Sequence, residues 1–233
     1  RYAVFQVKPE HQKVRALKLK KKKGDDLPKD SLAIVKLDDM SVVKLPRVKS
    51  YSLPKEGSGW LAYHLEKPLP EKKEAKKDKA AEGEKKAEAK KPALKKNKDA
   101  KGTELVLRNL RTGQEQRFSR VVDYTFSEQG NMLYFVKDEL DSLHHAGVFA
   151  FSTADLKEMP IDTGKVIYKG ISTDKAGEQL AYVASADTVG AEIRYFSLNY
   201  WNKKDQKKQV LADTLSKGMP KNWMVSEHGN LTF

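Results

Sequence analysis

Histidines are the first residues to consider for chemistry, because a histidine can act as a general base or bind a metal ion near neutral pH. The sequence has five of them, at His11, His64, His144, His145 and His228. A hydrolytic triad needs Ser, His and a carboxylate to converge in space, and residues scattered over different segments do not establish one. His144 and His145 lie near Asp138, Glu139 and Asp141 in the sequence. Adjacent histidines lack the i, i+4 spacing of a helical metal site, so we interpret this segment as a solvated hairpin loop.

No sequence motif marks a serine nucleophile. The chain lacks G-x-S-x-G, the strained turn that exposes such a serine, and "EGSGW" at Glu56–Trp60 has the wrong spacing. Two carboxylate pairs, Asp25–Asp26 and Asp38–Asp39, fall in apparent turns, where Asp is common because its side chain bonds nearby backbone. The chain has no cysteine, which excludes disulfides and thiolate metal sites. We therefore predict no catalytic, cofactor-binding or metal-binding residue here, and substrate-binding residues stay unknown.

The net charge of +13 is concentrated in two segments. Residues 1–23 contribute +8, from nine Lys and Arg against one Glu, and residues 71–101 contribute +6, from thirteen Lys against seven Asp and Glu. The rest of the chain is close to neutral, so the sequence does not predict a broad nucleic-acid-binding face. One hypothesis is a mobile polybasic fringe that attracts acidic peptides or an anionic surface. The alternative is a solvated insertion without a partner.

The tract Pro70–Gly102 is almost entirely Lys, Glu and Ala. Only Leu94 could reach a core, so burial would not offset the entropy of ordering the segment. Gly83 and Pro92 would also interrupt any long helix. We predict a disordered insertion here, and one short helix elsewhere, over Lys13–Lys23.

Outside this insertion, short apolar runs with a period of two predict β-strands, each bounded by Gly, Pro, Asn or Asp. The aromatic side chains on these strands, Tyr195 among them, are interpreted as core residues, because too few Lys or Arg accompany them to bind single-stranded nucleic acid. Tyr200 and Trp201 are expected to be partly exposed at a strand end. The predicted strands are Ser31–Leu37, Val42–Val48, Trp60–Lys67, Thr103–Leu110, Gly147–Ser152, Gln179–Ser185 and Glu192–Trp201.

A strand, a polar turn with glycine and a second strand recur four times, at Tyr51–Leu65, Tyr124–Val136, Lys169–Val183 and Asn222–Phe233. The turn glycines of this series are Gly59, Gly130, Gly177 and Gly229. They are separated by 71, 47 and 52 residues, and removal of the 33-residue insertion reduces the first interval to 38. A period of about 40–50 residues is typical of the four-stranded blades of a propeller.

The predicted fold is therefore an all-β, partial β-propeller of four-stranded antiparallel blades, three full and two partial. The expected division is a partial blade at 1–48, a blade at 49–121 carrying the disordered insertion 70–102, blades at 122–166 and 167–213, and a partial blade at 219–233. Propellers close with about four to eight blades, and the sequence opens on a strand-like run without Met, so we expect a segment of a longer protein. The alternative is an irregular β-sandwich with coincidental spacing.

"FSEQGNMLYFV" (Phe126–Val136) and "STDKAGEQLAYVAS" (Ser172–Ser185) resemble the FSPDGKxLAFV repeat of TolB-like propellers. They resemble in particular the N-terminal propeller of bacterial peptidases of the prolyl oligopeptidase and dipeptidyl peptidase family. The Lys-rich run from Lys20 to Glu74 is similar to that of large secreted or periplasmic members. The resemblance spans essentially the whole chain, but its motifs are degenerate.

This resemblance implies a serine peptidase whose propeller gates and positions peptides for a C-terminal α/β-hydrolase domain, which would supply the catalytic Ser, Asp and His. The implied partners are that domain and peptide substrates, and the implied location is the periplasm or the exterior. The paired glutamates with which dipeptidyl members bind the substrate ammonium are absent here. We expect no cofactor, no specific nucleic acid and no membrane span. We do expect the protein to self-associate through its open blade edges. The alternative is a TolB-like interaction module without peptidase activity, so whether the parent is an enzyme stays open.

Overall fold

In the computed structural model, the described residues are 1–57, 59–67, 101–138, 144–187 and 191–233. The predicted disordered insertion lies outside these ranges except for Lys101 and Gly102, and Glu139 and Asp141 also lie outside them. Within the described ranges, the only α-helix is α1 (His11–Leu19), and a 3₁₀ turn follows at Gly24–Asp26. The strands are β1 (Tyr2–Val7), β2 (Ser31–Lys36), β3 (Val42–Pro46), β4 (Val48–Ser52), β5 (Trp60–Leu65), β6 (Thr103–Asn109), β7 (Glu115–Phe126), β8 (Met132–Lys137), β9 (Ala146–Ser152), β10 (Lys157–Gly164), β11 (Ile167–Thr173), β12 (Gln179–Ser185), β13 (Ser197–Asn202) and β14 (Lys207–Ala212).

These strands form three antiparallel sheets in which neighbours along the chain are neighbours in space. The first holds β1–β3, the second holds β4–β10, and the third holds β11–β14. The seven-stranded sheet divides within β7, whose first half pairs with β6 and whose second half pairs with β8. Arg120 stands at the division with a φ of +62°, where the strand changes partner.

We name these units in chain order. Blade 1 is β1–β3, blade 2 runs from β4 to the first half of β7, blade 3 runs from the second half of β7 to β10, and blade 4 is β11–β14. Each complete unit is a four-stranded antiparallel meander. These are the blades of a β-propeller. The all-β, partial-propeller fold that the repeat predicts is confirmed.

The core lies between blades, and the alternation of β8 shows how. Met132, Tyr134 and Val136 belong to an apolar cluster shared with blade 4, whereas Leu133 and Phe135 belong to a cluster shared with blade 2. All five side chains are buried. A third cluster, which includes Ile34 of β2 and Leu61 of β5, joins blades 1 and 2. The unbroken apolar run of β8 therefore reflects a strand that is covered on both faces.

Residues 191–196 depart from the predicted strand. The sequence predicts one strand over Glu192–Trp201, but β13 begins at Ser197, because the amide of Tyr195 donates instead to Asp187 Oδ2 at 2.6 Å. Tyr195 is consequently 56% exposed and is not the core residue that was expected. The opposite correction applies to Trp201, which is buried against blade 3 rather than exposed. The last segment, 213–233, adds one bridge pair, Val225 with Phe196.

The helix begins and ends earlier than the predicted Lys13–Lys23. It ends at Leu19 because Lys21 takes a φ of +58°, and the Lys22 amide turns back to the carbonyl of Leu17 at 3.0 Å. None of the residues of α1 is buried. The helix therefore lies on the surface between β1 and β2 and adds little to the core.

Candidate functional site at the ends of the inner strands

The first strands of blades 2, 3 and 4 form a polar wall. They are β4, the second half of β7, and β11, and polar side chains link each one to the next. Ser50 Oγ lies 3.1 Å from the hydroxyl of Tyr124, which joins β4 to β7. Between β7 and β11, the backbone amide of Ile171 acts on the carboxyl of Asp123 and lowers its pKa against the effect of burial. We term these strands the inner wall.

Asp123 is the one acidic residue on the strands of the inner wall. Burial raises the pKa of its carboxyl, although the amides of Tyr124 and Ile171 and the charge of Lys49 act in the opposite direction. Its Oδ1 accepts the Tyr124 amide at 2.9 Å. This bond to the backbone of the next residue fixes the position of the carboxylate.

The turns that follow the inner strands of blades 3 and 4 are equivalent. Ser127 and Asp174 each cap the turn with their own side chain, Ser127 Oγ accepting from the amide of Met132 at 3.1 Å and Asp174 Oδ1 from the amide of Gln179 at 3.0 Å. Three residues further on, Gly130 and Gly177 both have a φ of +73°. Only glycine adopts this left-handed conformation without a steric cost, which explains the repeated glycine of the sequence.

The same two glycines are contact points between blades. A Cβ on Gly130 would lie 2.4 Å from Cγ of Pro54 in blade 2, and a Cβ on Gly177 would lie 2.7 Å from Cβ of Ser127 in blade 3. The backbone continues this chain of contacts, since the amide of Glu128 donates to the carbonyl of Lys175 at 3.1 Å. Each turn therefore packs directly against the next, and we term this series the rim.

Gly59 occupies a different place in its turn. Its carbonyl accepts the amide of Leu110 at 2.7 Å. In blades 3 and 4 the equivalent bonds run from the amide of Thr153 to the carbonyl of Asn131 and from the amide of Lys203 to the carbonyl of Glu178. Gly59 is thus level with Asn131 and Glu178, one residue beyond the glycines with which the sequence alignment matched it. In blade 2 the register of the predicted repeat is therefore shifted by one residue, and the fourth predicted copy, Asn222–Phe233, contributes a single bridge residue and no strand.

A cavity of about 280 Å³ opens where the three inner strands reach the rim. It is lined by one stretch from each blade, Ser52–Lys55, Thr125–Glu128 and Ser172–Asp174. Five of these residues carry hydroxyl groups, and an ion pair between Lys55 Nζ and Glu128 Oε1 at 2.6 Å joins two of the stretches. We term it the rim cavity. Hydroxyl groups and strand ends can hydrogen-bond a polar, extended ligand.

The ring of His64 contacts a hydroxyl side chain. Its Nε2 lies 2.7 Å from Thr103 Oγ1 and 2.9 Å from the carbonyl of Val121. A carbonyl can only accept, so Nε2 carries the hydrogen and does not act as a base toward Thr103, whose hydroxyl donates to the carbonyl of Leu65 at 2.6 Å. The ring is 3% exposed, and its role is to join blades 2 and 3.

Of the other histidines, His144 and His145 are adjacent, and His11 and His228 lie in separate segments of the chain. His11 and His228 are exposed, and His144 accepts a backbone hydrogen bond from Arg120 at 3.3 Å. His145 Nδ1 is buried and makes no hydrogen bond. Within the described residues, no three His, Asp or Glu side chains come together to hold a metal ion. The carboxylate pairs lie in the predicted kind of position, with Asp25–Asp26 in the 3₁₀ turn and Asp38–Asp39 in the β2–β3 turn.

Burial lowers the pKa of His64, and the charge of Lys49 lowers it further. The unfolded chain, with a pKa near 6.5, therefore takes up a proton before the folded protein does as the pH falls. We expect the free energy of unfolding to decrease between pH 7.5 and 5.5, by up to about 1.4 kcal/mol per pH unit. Urea denaturation across this range measures the slope.

The replacement His64→Gln should flatten this slope, and His11→Gln, at an exposed histidine, should leave it unchanged. The comparison separates His64 from the buried Asp123, whose raised pKa acts with the opposite sign. Equal slopes in the wild type and His64→Gln would show that His64 is not the titrating group.

Two arginines that the sequence reasoning did not select hold the blades at the opposite ends of the inner strands. Arg47 and Arg120 both have a positive φ, +60° and +62°. Each guanidinium donates to a carbonyl just beyond the second strand of its blade. Arg47 donates to the carbonyl of Lys67, and Arg120 donates to that of Asp138. The signal was present in the sequence, because "RVKSYS" after Pro46 and "RVVDYT" after Ser119 are the same pattern.

The chain is similar to the β-propeller domains of several peptidases and to TolB. The β-propeller domain of the Trilobed protease from Pyrococcus furiosus is 12% identical, with a TM-score of 0.42 over 70% of this chain and 41% of that one. Dipeptidyl peptidase 4 of Porphyromonas gingivalis is 11% identical, with a TM-score of 0.48 over 78% of this chain and 31% of that one. TolB of Acinetobacter baumannii is 8% identical, with a TM-score of 0.40 over 82% of this chain and 39% of that one.

This chain thus spans less than half the length of each of these proteins. At these identities and TM-scores, the fold rests on the strand pairing described above. No protein-family description matches the sequence, and no curated protein matches it. Among the described residues, no helix has both the length and the apolar character to cross a membrane.

Proposed function

We propose that this chain is a non-catalytic propeller segment of a serine peptidase of the prolyl oligopeptidase family. It admits peptides to a C-terminal α/β-hydrolase domain and positions them there. The observation that carries the proposal is the rim cavity, in which hydroxyl-bearing stretches of three successive blades converge. The sequence motifs of Phe126–Val136 and Ser172–Ser185 support the choice of family, and the same resemblance supports a periplasmic or secreted location.

Peptide binding by an extended backbone requires donors and acceptors at a strand end, and the rim cavity offers both. Ser52, Thr125 and Ser172 stand on three different inner strands, so one peptide could contact all three blades at once. The capping side chains beneath them, Ser127 and Asp174, are engaged by the turns. The cavity therefore binds without reacting, and chemistry would come from the hydrolase domain.

Filling the rim cavity is expected to abolish this binding. We predict that Ser172→Trp raises the Kd of a fluorescein-labelled oxidised insulin B chain at least tenfold, because the indole occupies the space that the peptide would use. Fluorescence anisotropy measures the Kd. Ser52→Trp fills the same cavity from blade 2 and should act alike, whereas Ser119→Trp, the same change at an exposed site of β7, should not. Unchanged affinity in both cavity variants would contradict the proposal.

The second candidate function, an interaction module without peptidase activity, is favoured by apolar side chains exposed on and after β14. Val210 and Leu211 are more than half exposed, and so are Leu215 and Trp223. A fluorophosphonate probe distinguishes the two functions when it is applied to the full-length protein. Covalent labelling of a serine outside these 233 residues supports the peptidase, and absence of labelling in a protein that still binds partners supports the interaction module.

A further inference from the structure

A second cavity, of about 290 Å³, lies between blades 1 and 2 and shares no residue with the rim cavity. Its walls come from β2 and β3 on one side and from the end of β6 with the following turn on the other. Among the described residues, its lining includes three cationic side chains, Lys36, Arg108 and Arg111, and no Asp or Glu. We term it the basic pocket.

Two of the three cations have an acidic partner outside the pocket. Lys36 Nζ lies 2.9 Å from Asp39 Oδ2, and Arg108 Nη1 lies 2.8 Å from Glu115 Oε1. Glu115 is itself shared, because it also accepts from Tyr63 and from Arg117. The guanidinium of Arg108 has five donors, so the bond through Nη1 leaves Nη2, beside Gly113, able to bind a further acceptor.

Arg111 differs from both. Its backbone amide is held by Asn109 Oδ1 at 2.9 Å, which fixes the turn, but its guanidinium forms no ion pair or hydrogen bond with any part of the chain that the structure describes. The side chain passes close to Gly59, where an added Cβ would lie 3.6 Å from Nε. An exposed guanidinium fork beside a second one matches the geometry of a carboxylate or phosphate.

Part of the remaining wall of the basic pocket is apolar, and it stands beside the hydroxyl-bearing side chains of Tyr2, Ser41 and Thr112. Ile34 is buried at its base, Leu110 packs against the cluster between blades 1 and 2, and Val43 stands partly exposed at its edge. A ligand with an apolar part would cover these side chains and remove them from water, which favours its binding over that of a purely polar anion. The volume is at the small end of ligand sites, which fits a single ring rather than a larger ligand.

We propose that the basic pocket binds a small oxyanion on an apolar body, with the carboxylate or phosphate on Arg111 and Arg108 and the apolar part on Ile34, Val43 and Leu110. The site joins two blades, so the ligand would also tie blade 1 to blade 2. This proposal does not depend on peptide binding at the rim cavity.

Isothermal titration calorimetry at low salt tests this proposal with benzoate, phenyl phosphate and benzyl alcohol. We expect at least one of the two anions to bind and the neutral alcohol to bind at least tenfold more weakly. The two anions distinguish a carboxylate site from a phosphate site. Binding of the alcohol as tight as that of the anions, or no binding of any probe, would overturn the proposal.

Variants then place the ligand. Arg111→Ala is expected to weaken anion binding at least fivefold, and Arg15→Ala, which removes the same charge from the exposed helix α1, should not change it. Val43→Glu keeps all three cations and adds a carboxylate at the edge of the pocket, so it should weaken binding by repulsion. Anion binding that is equal in the wild type, Arg111→Ala and Val43→Glu would show that the anion binds elsewhere.

Discussion

Replacing Tyr134 with alanine is expected to lower the free energy of unfolding by about 3–5 kcal/mol. Tyr134 is fully buried between blades 3 and 4, where its ring meets that of Trp201 edge to face at 6.3 Å. Its hydroxyl donates to the carbonyl of Gly177 at 2.6 Å. The alanine variant would leave a cavity and an unpaired carbonyl at the same joint. Urea denaturation followed by circular dichroism measures the loss.

One further variant separates the hydrogen bond from the packing of the ring, and a second serves as a control at an exposed tyrosine. Tyr134→Phe keeps the ring and removes only the hydrogen bond, so we expect a loss of about 1–3 kcal/mol. Tyr195→Ala truncates an exposed tyrosine of blade 4 and should change stability by less than about 0.5 kcal/mol. If Tyr134→Ala were as stable as Tyr195→Ala, blades 3 and 4 would not be packed as the structure shows.

Gly177→Ala is expected to destabilise the protein by about 2–5 kcal/mol, from two separate causes. A left-handed backbone conformation costs a residue with a Cβ about 1–2 kcal/mol, and Gly177 has a φ of +73°. The new Cβ would also lie 2.7 Å from Cβ of Ser127 and 3.2 Å from that of Met132, and such overpacking costs about 1–3 kcal/mol. The shift of the urea midpoint measures the sum.

Gly24→Ala is the matched control for the second cause. Gly24 also has a positive φ, +58°, but no atom lies within 4 Å of the Cβ that it would acquire. It therefore carries the backbone cost without the contact between blades. Equal losses of stability in Gly24→Ala and Gly177→Ala would mean that glycine recurs at the rim turns of this chain for its backbone conformation alone.

The sequence predicts the repeated strands and turns because each is encoded locally. Gln179–Ser185 is the predicted strand exactly, and the apolar run of β8 is the strand that both neighbouring blades cover. The end of α1 and the start of β13 were missed for a different reason. They depend on the left-handed φ of Lys21 and on a hydrogen bond from Tyr195 to Asp187, neither of which leaves a pattern in the sequence.

The candidate sites were less accessible to sequence reasoning than the fold. Ser52, Thr125 and Ser172 look like ordinary residues at the ends of strands, and only the docking of three blades brings them to one cavity. Arg111 and Lys36 likewise come together from different blades. The repeated Arg47 and Arg120 could have been found, because their sequence context is the same, but their role depends on carbonyls whose place the pattern does not give.

Strand β7 belongs to two blades, and this determines where the segment could open. Its backbone bonds to β6 over one half and to β8 over the other, so blade 2 could move away from blade 3 only by bending β7 near Arg120. Blades 3 and 4 share no strand, since β10 ends at Gly164 and β11 begins in another sheet at Ile167. Among the described blades only blades 2 and 3 share a strand, so blades could separate without bending a strand between blades 1 and 2 or between blades 3 and 4.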